Sequence, residues 1–132
     1  MNALYAALFG WAVHLSGYPY AAMPEVVRVE HHWLEQEACG GRPCKVLGWH
    51  RQHEDKVYLD NSLDLQDTFQ SSIAVHEFVH YLQGVSGKYA LEPTCSESVD
   101  MEREAYGVQE RYLVAYGIYH PITALHTINC GQ

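Results

Sequence analysis

The amino-acid sequence predicts an α+β fold, in which a small sheet with an edge strand packs against two long helices. Residues 46–49 and 56–59 are short segments typical of strands, joined by a polar stretch. Residues 68–83 and 96–116 then show the spacing of apolar side chains that is typical of helices. The chain has 132 residues, of which 48% are hydrophobic, so we expect residues 1–132 to form one domain around a single core.

The N-terminal third gives weaker signals. Residues 2–15 have helical apolar spacing, and the turn-forming segment 16–19 follows them, so a first helix is expected there. After Pro24, residues 25–29 are compatible with a strand or with the start of a short helix.

The two long helices carry recognisable end signals. Asp67 with Gln70 three residues later resembles a capping box, in which Asp replaces the usual Ser or Thr. Gly84 is expected to end this helix, and Gly117 is expected to end the next one, because glycine is the commonest residue just after a helix.

Charge and hydropathy exclude two classes of partner. The formal net charge is −8, and no basic stripe is present, so binding to a phosphate backbone is not expected. The most apolar stretch, residues 3–15, contains Gly10 and His14 and is shorter than the roughly 18 residues that a membrane span needs. No Lys or Arg precedes Arg28, so either a secretory signal has been removed or there never was one.

Four cysteines favour two disulfide bonds. Cys39 and Cys44 flank a short glycine-rich loop that closes easily, which leaves Cys95 to pair with Cys130. The alternatives are a four-cysteine zinc site and free thiols, but such zinc sites usually use two close pairs. Disulfide bonds favour an oxidising compartment, so a secreted or periplasmic location is expected.

The helix at 68–83 carries the sequence His76-Glu77-Phe78-Val79-His80. Positions four apart lie on the same face of a helix, so His76 and His80 can bind one tetrahedral zinc ion. Glu77 lies about 100° further around the helix, where it reaches water beside the metal rather than the metal itself. The pattern therefore separates two metal ligands from a general base.

This motif resembles that of the gluzincin zinc peptidases, the thermolysin-like group that includes very small single-domain members. In that group a second helix supplies a Glu as the third ligand, and Glu102 in Glu102-Arg103-Glu104-Ala105-Tyr106 is at a similar place. The resemblance covers residues 56–116 and implies one zinc ion per chain, held by His76, His80 and Glu102. It also implies that residues 56–60 form an edge strand that binds extended substrate, although an ordinary core strand fits those residues equally well.

Other third ligands remain open, and one zinc class is excluded. A metzincin would need Gly at position 83 and His at position 86, where this chain has Gln83 and Ser86. Glu104 falls on a different helix face from Glu102, so we expect it to be solvated. The remaining acidic alternatives on the second helix are Glu97 and Asp100.

The sequence departs from the family where an Asp often orients the first His ligand. Tyr106 stands there, so either its hydroxyl or the carboxylate of Asp100 is expected to take that role. The resemblance also implies an oxyanion donor beyond the third ligand, and we expect Tyr119 and His120 because they directly follow the second helix. Other aromatic candidates there are Tyr112, Tyr116 and His126, and the remaining histidines His31, His32, His50 and His53 are expected at the surface.

The function expected from these residues is zinc-dependent hydrolysis of peptide bonds by an endopeptidase, with Glu77 as general base. The partner would be a peptide or protein substrate. The alternatives are a non-catalytic zinc-binding or interaction domain and a zinc hydrolase of a non-peptide amide. Glu77 argues against the binding domain, since metal binding alone does not need a base.

Overall fold

The computed structural model describes residues 2–121 and 130. This part of the chain confirms the α+β class with four helices and a three-stranded sheet. In chain order the elements are α1 (Asn2–Ser16), β1 (Glu25–Val29), α2 (His31–Ala38), β2 (Gly48–Trp49), β3 (Lys56–Asp60), α3 (Thr68–Ser86) and α4 (Cys95–Ala115).

The sheet has the strand order β1-β3-β2, with β1 parallel and β2 antiparallel to β3. The prediction that residues 56–60 form an edge strand is therefore wrong, and the alternative of a core strand is confirmed. The sequence did not show that β1 would pair with the second side of β3, which buries all of β3 after Lys56. The edge strand next to α3 is β2, and a backbone bond from Asp60 N to Leu47 O extends its pairing.

The central helix is α3. Phe78, Val79 and Leu82 on it are almost completely buried, and each such side chain stabilises the fold by roughly 1.5–3 kcal/mol. Asp67 caps the helix as predicted and accepts from Gln70 N at 2.9 Å. The side chain of Gln70 does not complete a capping box, because its Oε1 accepts instead from Asp64 N.

The predicted end of α3 at Gly84 is wrong. The helix continues to Ser86, and Gly87 is the residue that adopts the left-handed conformation, with φ 73°. Gly84 stays helical and lies against His50, whose ring carbon Cε1 is 3.5 Å from where a Cβ would stand. Two glycines close together made the sequence signal ambiguous.

Helix α4 packs alongside α3 and agrees with its predicted range to within one residue at each end. Thr94 and Glu97 form a complete capping box at its start. Its buried residues include Ala105, Val108 and Leu113, which face the core.

The two remaining helices cover the sheet and the core. Helix α1 extends one residue past its predicted end and contributes Phe9, whose ring centroid is 5.4 Å from that of Phe78. Helix α2 was not predicted. Its single buried residue is Leu34, so its sequence has no apolar periodicity to detect. Residues 25–29, left open between strand and helix, form a strand.

Both expected cysteine pairs are confirmed. Cys39 is bonded to Cys44 with their Cα atoms 6.4 Å apart, and Cys95 is bonded to Cys130 with their Cα atoms 5.6 Å apart. The first bond closes the loop after α2, and the second fixes residue 130 to the first residue of α4. Within residues 2–121, no helix has the length and apolar character to cross a bilayer.

Candidate metal centre and cleft

The middle of α3 presents the two histidines of the motif on one face. The Nε2 atoms of His76 and His80 are 3.1 Å apart, and the ring centroids are 4.8 Å apart. His76 is 7% exposed, and the side chain of His80 is 12% exposed. The spacing of four residues thus brings both rings together without any distortion of the helix, as predicted.

Glu102 reaches this pair from α4. Its Oε1 lies 3.1 Å from His76 Nε2, and its Oε2 lies 3.2 Å from His80 Nε2. One potential ligand atom from each of the three residues lies within 4.8 Å of the other two. The structure therefore brings together the three residues that the sequence indicated as metal ligands.

The rival acids do not join this group. Asp100 pairs with Arg103 on the same helix at 2.9 Å, and Glu97 caps the start of α4. In the described part of the chain, neither carboxylate forms a hydrogen bond or ion pair with His76. Glu102 is thus the acid of α4 that faces the histidines.

Gln109 orients the ring of His76. Its Nε2 donates to Ser72 Oγ at 3.0 Å, and the hydroxyl of Ser72 itself donates to the carbonyl of Phe69. The amide oxygen of Gln109 therefore faces His76, whose Nδ1 donates to it at 3.0 Å. In a neutral ring this bond places the proton on Nδ1 and leaves the lone pair of Nε2 for a metal ion.

Gln83 does the same for His80. Its Nε2 donates to Met101 O at 2.9 Å and to Glu104 Oε1 at 3.0 Å. Its amide oxygen is left to accept from His80 Nδ1 at 2.8 Å. Both rings are thus held with Nε2 directed at the shared point, the arrangement that a metal ion requires of its histidine ligands.

These residues fit a cation. Two ring nitrogens and a carboxylate converge within hydrogen-bonding distance, so the point that they share favours a positive charge, either a proton or a metal ion. Burial disfavours the charged form of His80, yet its hydrogen bond to Glu102 and the nearby carboxylates raise its pKa to about 9. Burial also opposes ionisation of Glu102, but hydrogen bonds to both histidines hold its pKa well below the ordinary value. Two nitrogens and one carboxylate oxygen are a ligand set typical of zinc, which leaves a fourth position open.

The expectation that Tyr106 or Asp100 orients the ring of His76 was wrong. Tyr106 places its ring edge-on to His76, with centroids 4.5 Å apart, and among the described residues it is Gln109 that hydrogen-bonds to Nδ1 of His76. Asp100 is engaged by Arg103 at the surface. The partner of Nδ1 is Gln109, one turn further along α4 than Tyr106, where the family pattern gave no reason to look.

The expectation that Glu104 is solvated was also wrong. Its side chain is 28% exposed, and it accepts hydrogen bonds from Tyr18, Lys88, Tyr89 and Gln83. Burial raises its pKa, but these donors outweigh that effect and lower it. Glu104 therefore fixes the amide of Gln83 and, through it, the ring of His80.

Glu77 lies beside the three ligands but outside their group. It is 8% exposed, and its burial raises the pKa of the carboxyl, while the imidazoles of His76 and His80 oppose that rise. Strand β2 passes so close that a Cβ on Gly48 would lie 2.8 Å from Glu77 Cγ. Only glycine fits there without displacement, so the strand holds Glu77 against the site.

A cleft of about 630 Å³ opens over these residues, between the 45–50 segment and α4. Its lining includes Glu77, Trp49 and Tyr106. His50 also lines it, so the expectation of a surface position was wrong. Burial lowers the pKa of His50, although its bond to the carbonyl of Glu54 at 3.1 Å opposes this shift.

The expected oxyanion donors lie elsewhere. Tyr119 is 84% exposed, and His120 rests its ring 4.8 Å from that of Phe69, at the start of α3. Neither residue lines the cleft. Of the other candidates, Tyr112 donates to or accepts from Ser71, Tyr116 is 54% exposed, and His126 is outside the described residues.

The comparisons with known proteins identify no relative. No protein-family model matches the chain, no curated protein is significantly similar to it, and no solved structure significantly matches its fold. The residues of the cleft and their geometry therefore carry the functional argument.

Proposed function

We propose that this protein is a zinc-dependent hydrolase of peptide bonds that uses Glu77 as its general base. The observation that carries the proposal is the position of Glu77. Its buried carboxylate lies beside the converging ligand atoms of His76, His80 and Glu102, opens onto the same cleft, and remains outside the ligand group. A site that only bound a metal would not need a base there.

Each residue has a separate role in this proposal. His76, His80 and Glu102 would hold one zinc ion, which supplies acidification of water and polarisation of a carbonyl group. Glu77 takes the proton from the attacking water and passes it to the leaving amine. Its raised pKa favours that role, because a more basic carboxylate is a better proton acceptor at neutral pH.

The edge strand supports an extended peptide as substrate. Strand β2 pairs with β3 on one side, and its residues Gly48 and Trp49 line the cleft beside Glu77. A free strand edge binds an extended chain by backbone hydrogen bonds, which do not require a chain terminus. This arrangement favours an endopeptidase over an enzyme that removes terminal residues.

Tyr106 is the best-placed donor for the oxyanion. Its ring packs on His76 and it lines the cleft. Burial and the nearby carboxylates of Glu102 and Glu77 raise the pKa of its hydroxyl, which therefore stays protonated and able to donate. Tyr119 and His120 would need a rearrangement of the chain to reach the same point. The proposal therefore gives the hydroxyl of Tyr106 the role that the sequence assigned to those two residues.

The two disulfide bonds support a secreted or periplasmic location, since such bonds persist mainly in oxidising compartments. Expression with and without export to an oxidising compartment, followed by thiol counting, tests this part. Four reactive thiols in the protein from its native compartment would contradict it.

Glu77→Gln tests the mechanism. The amide keeps the shape and removes the basic oxygen, so we expect cleavage of a peptide library to fall by about 10²–10⁴-fold, with zinc content and melting temperature unchanged. Glu92→Gln is the matched control, because it makes the same change at an exposed position that does not line the cleft. Unaltered turnover in Glu77→Gln would overturn the mechanism.

The same assay separates the alternatives. A wild-type protein that binds zinc and cleaves no peptide would favour the zinc-binding or interaction domain. Turnover of small non-peptide amides without peptide cleavage would favour the other alternative, a non-peptide amidase.

Tyr106→Phe tests the oxyanion donor. It keeps the ring on His76 and removes the hydroxyl, and loss of one such donor typically costs about 10²–10³-fold in kcat. KM and zinc content should not change. Tyr119→Phe removes a hydroxyl that is far more exposed, and we expect wild-type kcat for it. A loss of kcat in Tyr119→Phe with wild-type kcat in Tyr106→Phe would instead identify Tyr119 as the oxyanion donor.

A further inference from the structure

We propose that the neutral amides of Gln83 and Gln109 set the metal affinity of this site below the level that carboxylates in the same places would give. This inference rests on the metal-binding part of the proposed function and does not depend on peptide cleavage. Gln83 is 1% exposed and Gln109 is 5% exposed, so both amides act on the histidines from inside the protein.

Hydrogen bonds hold both amides with the oxygen towards a histidine. Nε2 of Gln109 donates to Ser72, and Nε2 of Gln83 donates to Met101 O and to Glu104. When zinc binds, each imidazole would therefore keep its proton on Nδ1 and offer the lone pair of Nε2.

The charge of the group that accepts from Nδ1–H affects how strongly a histidine binds a metal ion. A carboxylate that accepts from Nδ1–H makes the imidazole more basic and a stronger metal ligand, whereas an amide oxygen carries only a partial charge. Outer partners of this kind typically change metal affinity by about 10–100-fold. With an amide as the partner of each ring, His76 and His80 are correctly oriented but are weaker metal ligands than they would be with carboxylate partners.

The carboxylate of Glu104 lies close to His80 but does not contact its ring. Glu104 lies on the far side of Gln83 from His80, where Lys88 neutralises it. The protein thus has a partly buried carboxylate close to a ligand and places a neutral group between the two. The negative charge helps to orient Gln83 without being transmitted directly to the ring.

Gln109→Glu is the deciding variant. It places a carboxylate oxygen where the amide oxygen now accepts from His76, and Ser72 can exchange its bond to Phe69 O for one to the second carboxylate oxygen. We expect zinc to bind about 10-fold more tightly, measured by competition with a chromogenic chelator at one fixed pH. Gln83→Glu is a poorer test, because its second oxygen would face Glu104 and Met101 O.

Gln52→Glu is the matched control. Gln52 lines the same cleft, but its amide contacts Ala90 O rather than a histidine. The added charge is the same, so any general attraction between the cleft and zinc should appear in both variants. The proposal expects the zinc affinity of Gln52→Glu to stay within about 3-fold of wild type, since the charge is screened and not bonded to a ligand.

Gln109→Leu and Gln83→Leu extend the test should the Glu variant not fold. Each removes the acceptor of one Nδ1–H, and zinc should bind about 10–100-fold more weakly. Circular dichroism of the zinc-free proteins identifies which variants are folded.

Three results would overturn the proposal: folded Gln109→Glu with unchanged or weaker zinc binding, equal tightening in Gln52→Glu, or folded Leu variants with wild-type affinity. A wild-type protein that binds no zinc would overturn this inference together with the metal site itself. If the variants change zinc affinity as expected but the wild-type protein cleaves no peptide, this inference stands and the proposed hydrolysis is overturned.

Discussion

Two regions of the molecule place histidine against a carboxylate, and only one of them is suited to a metal ion. At the end of β3, His31 Nδ1 lies 2.7 Å from Asp60 Oδ2, and its Nε2 lies 2.7 Å from Cys44 O. In the cleft, the distances from His76 and His80 to Glu102 are only slightly longer. Distance to a carboxylate therefore does not distinguish the two regions.

The convergence of two rings does distinguish them. His31 is a single ring whose two nitrogens each face an oxygen acceptor of their own. His76 and His80 each give Nδ1 to an amide oxygen, and their Nε2 atoms, 3.1 Å apart, share the one carboxylate of Glu102. The first region joins α2 to the sheet, and the second brings together groups that need a cation.

Zinc should stabilise only the second region. At a free zinc concentration about 1,000 times its dissociation constant, the free energy of unfolding should rise by about 4 kcal/mol. His80→Ala should abolish this increment, because it removes one of three ligands. Differential scanning calorimetry with and without zinc measures it.

His31→Ala is the control for that experiment. It should lower the stability of the zinc-free protein and leave the zinc increment intact. The assignment of the metal site to the cleft would be contradicted if zinc still raised the free energy of unfolding of His80→Ala, or if it no longer did so in His31→Ala.

Gly48→Ala sharpens the comparison, because close backbone approach is a feature of the cleft. The new Cβ would meet Glu77 Cγ at 2.8 Å, and overpacking of this kind costs about 1–3 kcal/mol in unfolding free energy. A displacement of Glu77 by about 1 Å should lower kcat by up to about 10²-fold while zinc affinity is kept.

Gly107→Ala is the matched change. Nothing lies within 4 Å of the Cβ it would add, and the residue is helical, so the same assay should find wild-type activity and slightly higher stability. Wild-type activity in Gly48→Ala would mean that the strand does not position Glu77.

The smallest expected effect is a pH dependence of the His31 pair. Hydrogen bonds to Asp60 and to the Cys44 carbonyl raise the pKa of His31. A raised pKa stabilises the fold below the unfolded value near 6.5, and this contribution is lost as the pH rises through the folded value. Burial raises the pKa of Asp60, but hydrogen bonds from Ser62 and His31 outweigh it and lower that pKa, so its contribution is lost only as the pH falls through the lowered value.

His31→Gln should therefore be least stable relative to wild type in mildly acidic solution, and the difference should narrow towards alkaline pH. Melting temperatures of both proteins at about pH 6 and about pH 9 measure this. A difference that widens towards alkaline pH would have the wrong sign for the interaction described.

The sequence predicted those elements whose signal is local. Spacing of apolar residues located α3 and α4, and Asp67 located the start of α3. It missed α2, in which Leu34 is the only buried residue. It also misplaced β3 in the sheet, because whether β3 is an edge or a central strand depends on its pairing with β1. Pairing between segments about thirty residues apart leaves no trace in the periodicity of either one.

The candidate site divides in the same way. His76, Glu77 and His80 follow from helix geometry, and Glu102 follows from the family resemblance. Gln109 was not predicted, since an amide that orients a ring looks like any other polar residue of a helix. The only available signal was that it lies seven residues after Glu102, and so on the same helix face, a relation that the family pattern does not use.

The bond between Cys95 and Cys130 has a consequence for the products of proteolysis of this chain. It closes a covalent ring that contains all of α4 and the residues that follow it. A single nick between residues 96 and 129 opens that ring but releases no fragment, so Glu102 stays attached to the chain that carries its two histidine partners. Nicked and intact protein should therefore migrate together in non-reducing electrophoresis and separate only after reduction.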